Sequence, residues 1–248
     1  MSGLVGATSR LRRIASTGST NADLIGRIAG GDPPPDGEWL LADRQTTGRG
    51  RRGRVWFDGT GNFMGSTAIR LLPGDPPPAS LSLVAGIALH ETVAALLPPA
   101  AGAMLKWPND LMVGAAKLAG ILLEREADWI VVGIGVNLAA APDLPDRPST
   151  ALSAFGPAPD RDMFAANLAR QLDQEAQRWR SYGLEPLTRR WMAAAHPVGT
   201  PLAVHPPGES VLEGRFDGLA EDGSLLLRMI DGATRTVSAG DVMLARKD

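Results

Sequence analysis

The chain has 248 residues, enough for one large domain plus a small one or for a single domain at the upper end of ordinary size. Its 25 Lys and Arg against 27 Asp and Glu leave a formal net charge of -2, which argues against a protein that coats nucleic acid electrostatically. Zero cysteines exclude disulfides, thiolate metal sites and a cysteine nucleophile, and fit a cytoplasmic protein. MSGLVGATSRLRRIAS lacks a signal-peptide core, and every long apolar run is interrupted by Lys, Pro or Asp, so no membrane partner is expected.

In chain order, LRRIAST reads as a short strand leading to Ser19, Thr20 and Asn21, three good helix caps. They precede a helix with Leu24, Ile25 and Ile28 on one stripe and Gly30-Gly31 as its stop. After a PPPDGE loop, Trp39 to Ala42 is an apolar strand that delivers an arginine-rich loop, and Asn62 to Leu71 is the strand after it. Leu81 to Leu97 is apolar on nearly every face, the mark of a buried helix.

Three β-type segments follow, at Met104–Trp107, Lys117–Glu124 and Trp129–Val136. The short turn between the last two predicts an antiparallel pair, because a parallel crossover needs a dozen or more residues. Helical periodicity returns through Ala165, Leu168, Ala169, Leu172, Ala176 and Trp179, and a second helix is expected to start at Pro186 after Gly183. Pro197 ends the helical region. The remainder is short strands split by Asp222-Gly223 and Asp231-Gly232 turns, the pattern of a small β-barrel of roughly 50 residues.

The loop DRQTTGRGRRGRVWFDG, residues 43–59, packs five arginines and four glycines and contains Gly48, Gly50 and Gly53 at GxGxxG spacing. A dinucleotide-binding fingerprint places its third glycine in the first turn of a helix, whereas RVWFDGTGN runs on into another strand. Arg49, Arg51, Arg52 and Arg54 supply cations that a backbone-built phosphate site does not use. Glycines give such a loop mobility, and guanidiniums give it a bidentate grip on phosphate or carboxylate, so it reads as a lid that orders over an anion. An arginine-rich surface turn that grips RNA phosphates fits the same residues.

KWPND, Lys106 to Asp110, puts a cation, an indole, a rigid X-Pro turn, an amide and a carboxylate directly after a strand; an ordinary β-turn has the same chemistry. In AKLAGILLE, strand alternation places Lys117 with Ala119, Ile121 and Leu123, an apolar face that suits an ammonium only at a strand end or against an anion. GIGVN, Gly133 to Asn137, ends an apolar strand with two glycines and an amide, and also fits a plain strand-to-turn transition. His90, His196 and His205 are scattered and suggest neither a metal site nor a catalytic base.

In this order and spacing, STN, GRGRRGR, KWPND, KLAGILLE and GIGVN resemble the biotin protein ligase family from about Ser19 to Asn137. The later helices and the C-terminal β-module also suit it. The resemblance implies an α+β fold of the class II aminoacyl-tRNA synthetase type: a mixed, mostly antiparallel sheet with helices over residues 1–196, plus an SH3-like β-barrel over 197–248. It implies ATP-dependent activation of biotin to biotinyl-AMP and transfer to a lysine of a biotin carboxyl carrier protein domain, as in acetyl-CoA carboxylase. ATP and biotin are then the substrates, with Mg2+ at the phosphates and its ligands open.

By the family pattern, Ser19, Thr20 and Gln45 bind biotin's ureido ring, Asn21 is a further biotin contact, and Gly48 and Arg49 close over biotin. Arg51 and Arg54 face the phosphates. Lys117 meets the carboxylate or the new anhydride, and Gly120 and Gly133 let the backbone approach biotin. Trp56 stacks on the adenine side, with Lys106, Asn109 and Asn137 as further nucleotide contacts. Asp110 is a candidate base for the acceptor lysine, with orientation of Lys106 as its alternative role. Because 18 residues precede Ser19, no DNA-binding domain and no sequence-specific DNA partner are expected; monomer and homodimer stay open. A lipoate or octanoate ligase is the runner-up enzyme, and Gln45 with the arginine loop favours biotin because a fatty chain offers no ureido edge. A non-catalytic RNA- or nucleotide-binding module is the competing class.

Overall fold

The computed structural model describes residues 10–144 and 148–244; the first nine residues of the stretch read above for a signal peptide lie outside it. β1 (Leu11–Thr17) runs into α1 (Thr20–Ala29), where Ser19 is the N-cap and accepts a hydrogen bond from Ala22 N, and the chain returns as β2 (Trp39–Gln45), parallel to β1. β3 (Phe63–Arg70) follows the arginine loop, and α2 (Leu81–Ala94) follows the second proline-rich loop. Next come β4 (Ala103–Lys106), β5 (Asp110–Val113), β6 (Ala116–Glu126) and β7 (Trp129–Val136). These strands form one sheet in the order β1-β2-β3-β7-β6-β5-β4, in which every pair except β1-β2 is antiparallel. The mixed, mostly antiparallel expectation holds, with one addition. Asp110–Val113, read above as a turn, pairs as a strand with both β4 and β6.

Helices cover both faces of this sheet. α1 packs through Leu24 and Ile28 against Leu40, Ala68 and Val131. α2 lies on the other face under α3 (Arg161–Tyr182) and α4 (Leu184–Ala194). Enclosed between sheet and helices, α2 is buried over most of its surface, which is why its sequence is apolar on nearly every face. α3 begins one turn earlier than its periodicity suggests because Asp160 caps it through Met163 N at 2.8 Å. α4 starts at Leu184, so Pro186 sits in its first turn, where a missing N–H costs nothing.

β8 (Pro201–His205), β9 (Leu212–Leu219), β10 (Leu225–Arg228), β11 (Thr234–Val237) and β12 (Asp241–Leu244) form a second, antiparallel sheet in the order β11-β10-β9-β8-β12. β11 and β12 are its two edges, so the expected barrel is an open five-stranded sheet among the described residues, consistent with an SH3-like module. Its inner face shares a core with the main sheet: Leu202, Phe216 and Leu225 continue the cluster that holds Leu105, Trp107 and Trp191. Trp107 Nε1 also donates to Gly223 O at 3.1 Å.

Candidate active site

One cavity of about 820 Å3 lies between the start of α1, the arginine loop, β5–β7 and β12. Every residue expected at the site lines it, apart from Gly48. Gly48 is buried at the base of the loop, where its carbonyl accepts from Trp56 N at 2.9 Å.

The end nearest α1 is uncharged and buried. Ser19, Thr20, Asn21, Gln45 and Ser66 are all at most 8% exposed. Gln45 Oε1 accepts from Thr20 N at 2.8 Å and lies 3.1 Å from Thr20 Oγ1, and Thr20 Oγ1 is 2.6 Å from Ser66 Oγ. Ser66 Oγ donates to Asn21 Oδ1 at 2.6 Å, while Asn21 Nδ2 donates to Glu124 Oε2 at 2.8 Å. A methyl group on Gly133 would come within 2.2 Å of Asn21 Oδ1. That glycine therefore makes room for the protein's own Asn21, and it also lines the cavity. Ser66 and Glu124 were missed by the sequence reading; a serine inside the buried run FMGSTAIR was the available signal for the first.

The opposite end is cationic. Asp110, at the start of β5, pairs with Lys117 at 2.5 Å and Lys106 at 3.0 Å. Burial pushes the Asp110 carboxyl up, but the attraction of Lys117 and Lys106 and their hydrogen bonds outweigh it and bring it down to about 2. A carboxylate this acidic is a poor proton acceptor; orienting the two lysines is the role its surroundings fit. Lys117 reaches this group because of a β-bulge. Met112 opposes Lys117 while its neighbour Leu111 opposes Ala119, so Leu118 is the extra residue and both Leu118 and Ala119 are buried. The uninterrupted alternation assumed above would have sent Lys117 to the apolar face; the bulge moves it to the face of Gly120 and Leu122.

Asn109 is held at both ends of its amide, donating to Ile121 O at 2.6 Å and accepting from Arg51 Nη1 at 3.2 Å. Asn137 donates to Thr150 O at 3.0 Å, and its buried Oδ1 has no partner among the described residues. Trp56 lies across Gly120 and Gly135, which face each other in the β6-β7 ladder. A methyl at Gly135 would come within 2.2 Å of the indole, and one at Gly120 within 3.2 Å. Lys117 Nζ stands 5.7 Å from the Trp56 ring centre. Gly135 is thus a further site residue, legible in GIG because residues two apart on a strand share a face.

The arginine loop forms a small hairpin, with Arg49 bridging Val55 and a one-turn 3-10 segment at Arg51–Gly53. Arg52 and Gly53 both have positive φ, 55° and 70°, which closes this turn. Its outer partner is the C-terminal sheet. Asp241 at the start of β12 takes Arg54 at 2.7 Å, Arg52 at 3.4 Å and Arg51 at 3.7 Å. Arg52 also donates to His205 O at 3.0 Å, Arg51 to Gly240 O at 3.1 Å and Lys106 to Val242 O at 2.8 Å. Burial lowers the Arg51 guanidinium from its ordinary value against the pull of Asp241 and Asp110. The loop read above as a lid ordered by a bound anion thus has an internal carboxylate already in its grip. No sequence motif announced Asp241.

Residues 26–137 match the model of the Biotin/lipoate A/B protein ligase family, and residues 204–244 match the Biotin protein ligase C terminal domain. The chain is 38% identical to a biotin--[acetyl-CoA-carboxylase] ligase of Mycobacterium tuberculosis, over 98% of this chain and 93% of that protein. It is 36% identical to the enzyme of the same name from Paracoccus denitrificans, over 87% and 92%. The crystallised biotin protein ligase from Aquifex aeolicus in complex with biotin and ATP superposes with a TM-score of 0.82, at 25% identity over 96% of this chain and 99% of that one. With both modules matched in order, and with the motifs gathered around one cavity, the chain belongs to the biotin protein ligase family.

Proposed function

We propose that this cavity takes biotin at its uncharged end and ATP across its cationic end, making the chain an ATP-dependent, AMP-forming biotin–protein ligase. The observation that carries this reading is the meeting of Lys106, Lys117 and Arg51 at one end of the cavity that has the uncharged Thr20, Gln45 and Ser66 at its other end. Biotin's carboxylate is ionised at neutral pH, so its oxygen attacks the α-phosphorus without a general base. The bond from that phosphorus to the bridging oxygen breaks and pyrophosphate leaves. Cations, rather than proton acceptors, lower this barrier, because two anions approach and a third departs.

In this reading Lys117 meets the carboxylate and the new anhydride, with Asp110 holding it and Lys106 in place. Arg49, Arg51 and Arg54 serve the reacting carboxylate and the phosphates, and the phosphates displace Asp241 from some of its guanidinium contacts. Asn137 Oδ1 suits an amino group of the base, and Trp56 supplies an apolar surface on that side. Biotinyl-AMP is a mixed anhydride that water destroys, so closure of the loop protects it. A neutral lysine of a carboxylase's carrier domain then attacks the acyl carbon, AMP leaves and the amine gives up its proton. We assign residues 1–196 to the catalytic part and 197–248 to the C-terminal module, and place the reaction in the cytoplasm.

Mg2+ in this reading arrives on the nucleotide's phosphate oxygens. Asp110 and Asp241, the carboxylates that line the cavity among the described residues, are both paired with cations, and the described residues include no cluster of three or more His, Cys, Asp or Glu fit for a metal. Isotope exchange between pyrophosphate and ATP, with biotin, lipoate, octanoate or no acid added, tests the proposal. Exchange with biotin alone is expected. Exchange with lipoate or octanoate instead would change the substrate and keep the chemistry; none with any acid would favour a non-catalytic binding module.

A further inference from the structure

Three short contacts at the uncharged end share two hydroxyl protons. Ser66 Oγ is 2.6 Å from Asn21 Oδ1, Thr20 Oγ1 is 2.6 Å from Ser66 Oγ, and Thr20 Oγ1 is 3.1 Å from Gln45 Oε1. Oxygens as close as 2.6 Å hold a proton between them. With Oδ1 of Asn21 facing Ser66, the serine must donate to it, and the serine oxygen then accepts the proton of Thr20. Thr20 Oγ1 is left with lone pairs only. Gln45 Oε1 is meanwhile held by the backbone N–H of Thr20 at 2.8 Å.

A half-turn of the Asn21 amide would reverse all of this in the same space. Nδ2 would face Ser66, Ser66 would donate to Thr20, and the proton of Thr20 would be released toward Gln45 or the cavity. The hydroxyls cannot choose between these states, since each is both donor and acceptor. Glu124 can. Its carboxylate only accepts, and Oε2 lies 2.8 Å from the Asn21 amide nitrogen, so Nδ2 is turned toward it. Leu122 O, 3.5 Å from the same nitrogen, favours the same orientation. Glu124 is half-buried on β6 and does not line the cavity; it acts through Asn21, which fills the space that Gly133 leaves open.

We propose that Glu124 is a positioning residue for recognition of the ureido ring. By fixing the Asn21 amide it orders the protons of the Asn21–Ser66–Thr20 chain, so that Thr20 Oγ1 meets the ligand as an acceptor for a ureido N–H. This inference rests on the biotin reading above.

The test is biotin-dependent pyrophosphate–ATP exchange by the full chain, with biotin and with biotin methylated on a ureido nitrogen. Glu124→Leu is expected to raise KM for biotin about tenfold, the scale of one lost buried hydrogen bond, while KM for ATP and kcat stay within about twofold. The same change should narrow the preference for biotin over the methylated analogue. Glu124→Gln keeps an acceptor oxygen and should bring the biotin KM back to within about threefold of the parent. If Glu124→Leu does not fold, Ser66→Ala breaks the same chain and should show the same KM split and the same loss of discrimination. Biotin and ATP constants that shift equally, or discrimination that stays intact, would overturn the role of Glu124 and leave the ligase reading standing. No exchange with either form of biotin by the parent chain would remove both.

Discussion

The two ends of the cavity are built from different materials. The uncharged end is a set of direct hydrogen bonds between α1, β2, β3 and β6, in which nearly every donor and acceptor is buried and fixed by neighbouring secondary structure. The cationic end is assembled from a glycine-rich loop, a strand bulge and an edge strand of the second module, and its outer guanidiniums stay 40% and 47% exposed. Buried hydrogen bonds among rigid elements recognise shape and donor pattern and are insensitive to salt. Half-exposed ion pairs are individually weak and screened, so an incoming polyanion can replace their partner. One end is suited to selecting a small neutral ring, the other to gripping and then releasing phosphates.

Lys117→Ala should break this contrast most severely, because it removes the cation that the bulge carries to the reacting end. Adenylation measured by pyrophosphate exchange is expected to fall by about a thousandfold, the scale of losing a preorganised charge. Binding of biotin alone, measured by calorimetry, should weaken far less. Unchanged exchange would remove the cationic end as the site of chemistry.

Gly135→Ala should come next. Its methyl would stand 2.2 Å from the Trp56 ring, so the ring must yield. KM for ATP is expected to rise about a hundredfold, an overpacking cost of some 3 kcal/mol, while the biotin constant changes little. A parallel rise in both constants would show that the two ends are not separable.

Asp110 sharpens the comparison through pH. Its folded-state value of about 2 lies below the ordinary 3.8, so its stabilising contribution is complete above pH about 4 and is lost as the pH falls toward 2. The loss amounts to roughly 2 kcal/mol. Urea unfolding between pH 7 and pH 2.5 should show this acid-labile component in the parent and its absence in Asp110→Asn. The variant should also be less stable at pH 7, because Lys106 and Lys117 are left facing each other.

Asp241→Asn is expected to have the smallest effect. With the carboxylate gone, the loop keeps its turn but loses its anchor, and trypsin should cut at Arg51, Arg52 or Arg54 about fivefold faster, as expected for release of weak surface pairs. Added ATP should restore protection if phosphates take the place of Asp241. Cleavage at the parent rate would mean that the contacts to His205 O and Gly240 O suffice.

The unequal legibility of the two ends has a physical cause. Ser19, Thr20 and the arginines stood out because polar and glycine-rich segments interrupt apolar runs, and such interruptions are visible one residue at a time; Gln45 was marked only by the family resemblance. Glu124 was hidden, since a carboxylate at the end of a strand reads as a solvated terminus until the partner across the sheet is known. Asp241 was hidden for the same reason, at a distance of 187 residues from Arg54.

What the sequence by itself determined was the set of elements and the chemical inventory. Local periodicity, caps and proline breaks specify strands and helices, and the family resemblance specified which motifs belong together. Register and docking were decided only in three dimensions. The bulge at Leu118 turns Lys117 from an apolar face to the cavity, and no local propensity marks it, because it arises from fitting β6 to β5 on one side and β7 on the other. The pairing of the loop with β12 likewise depends on a core shared between the two sheets, whose packing brings the remote Asp241 to arginines that the sequence had already made conspicuous.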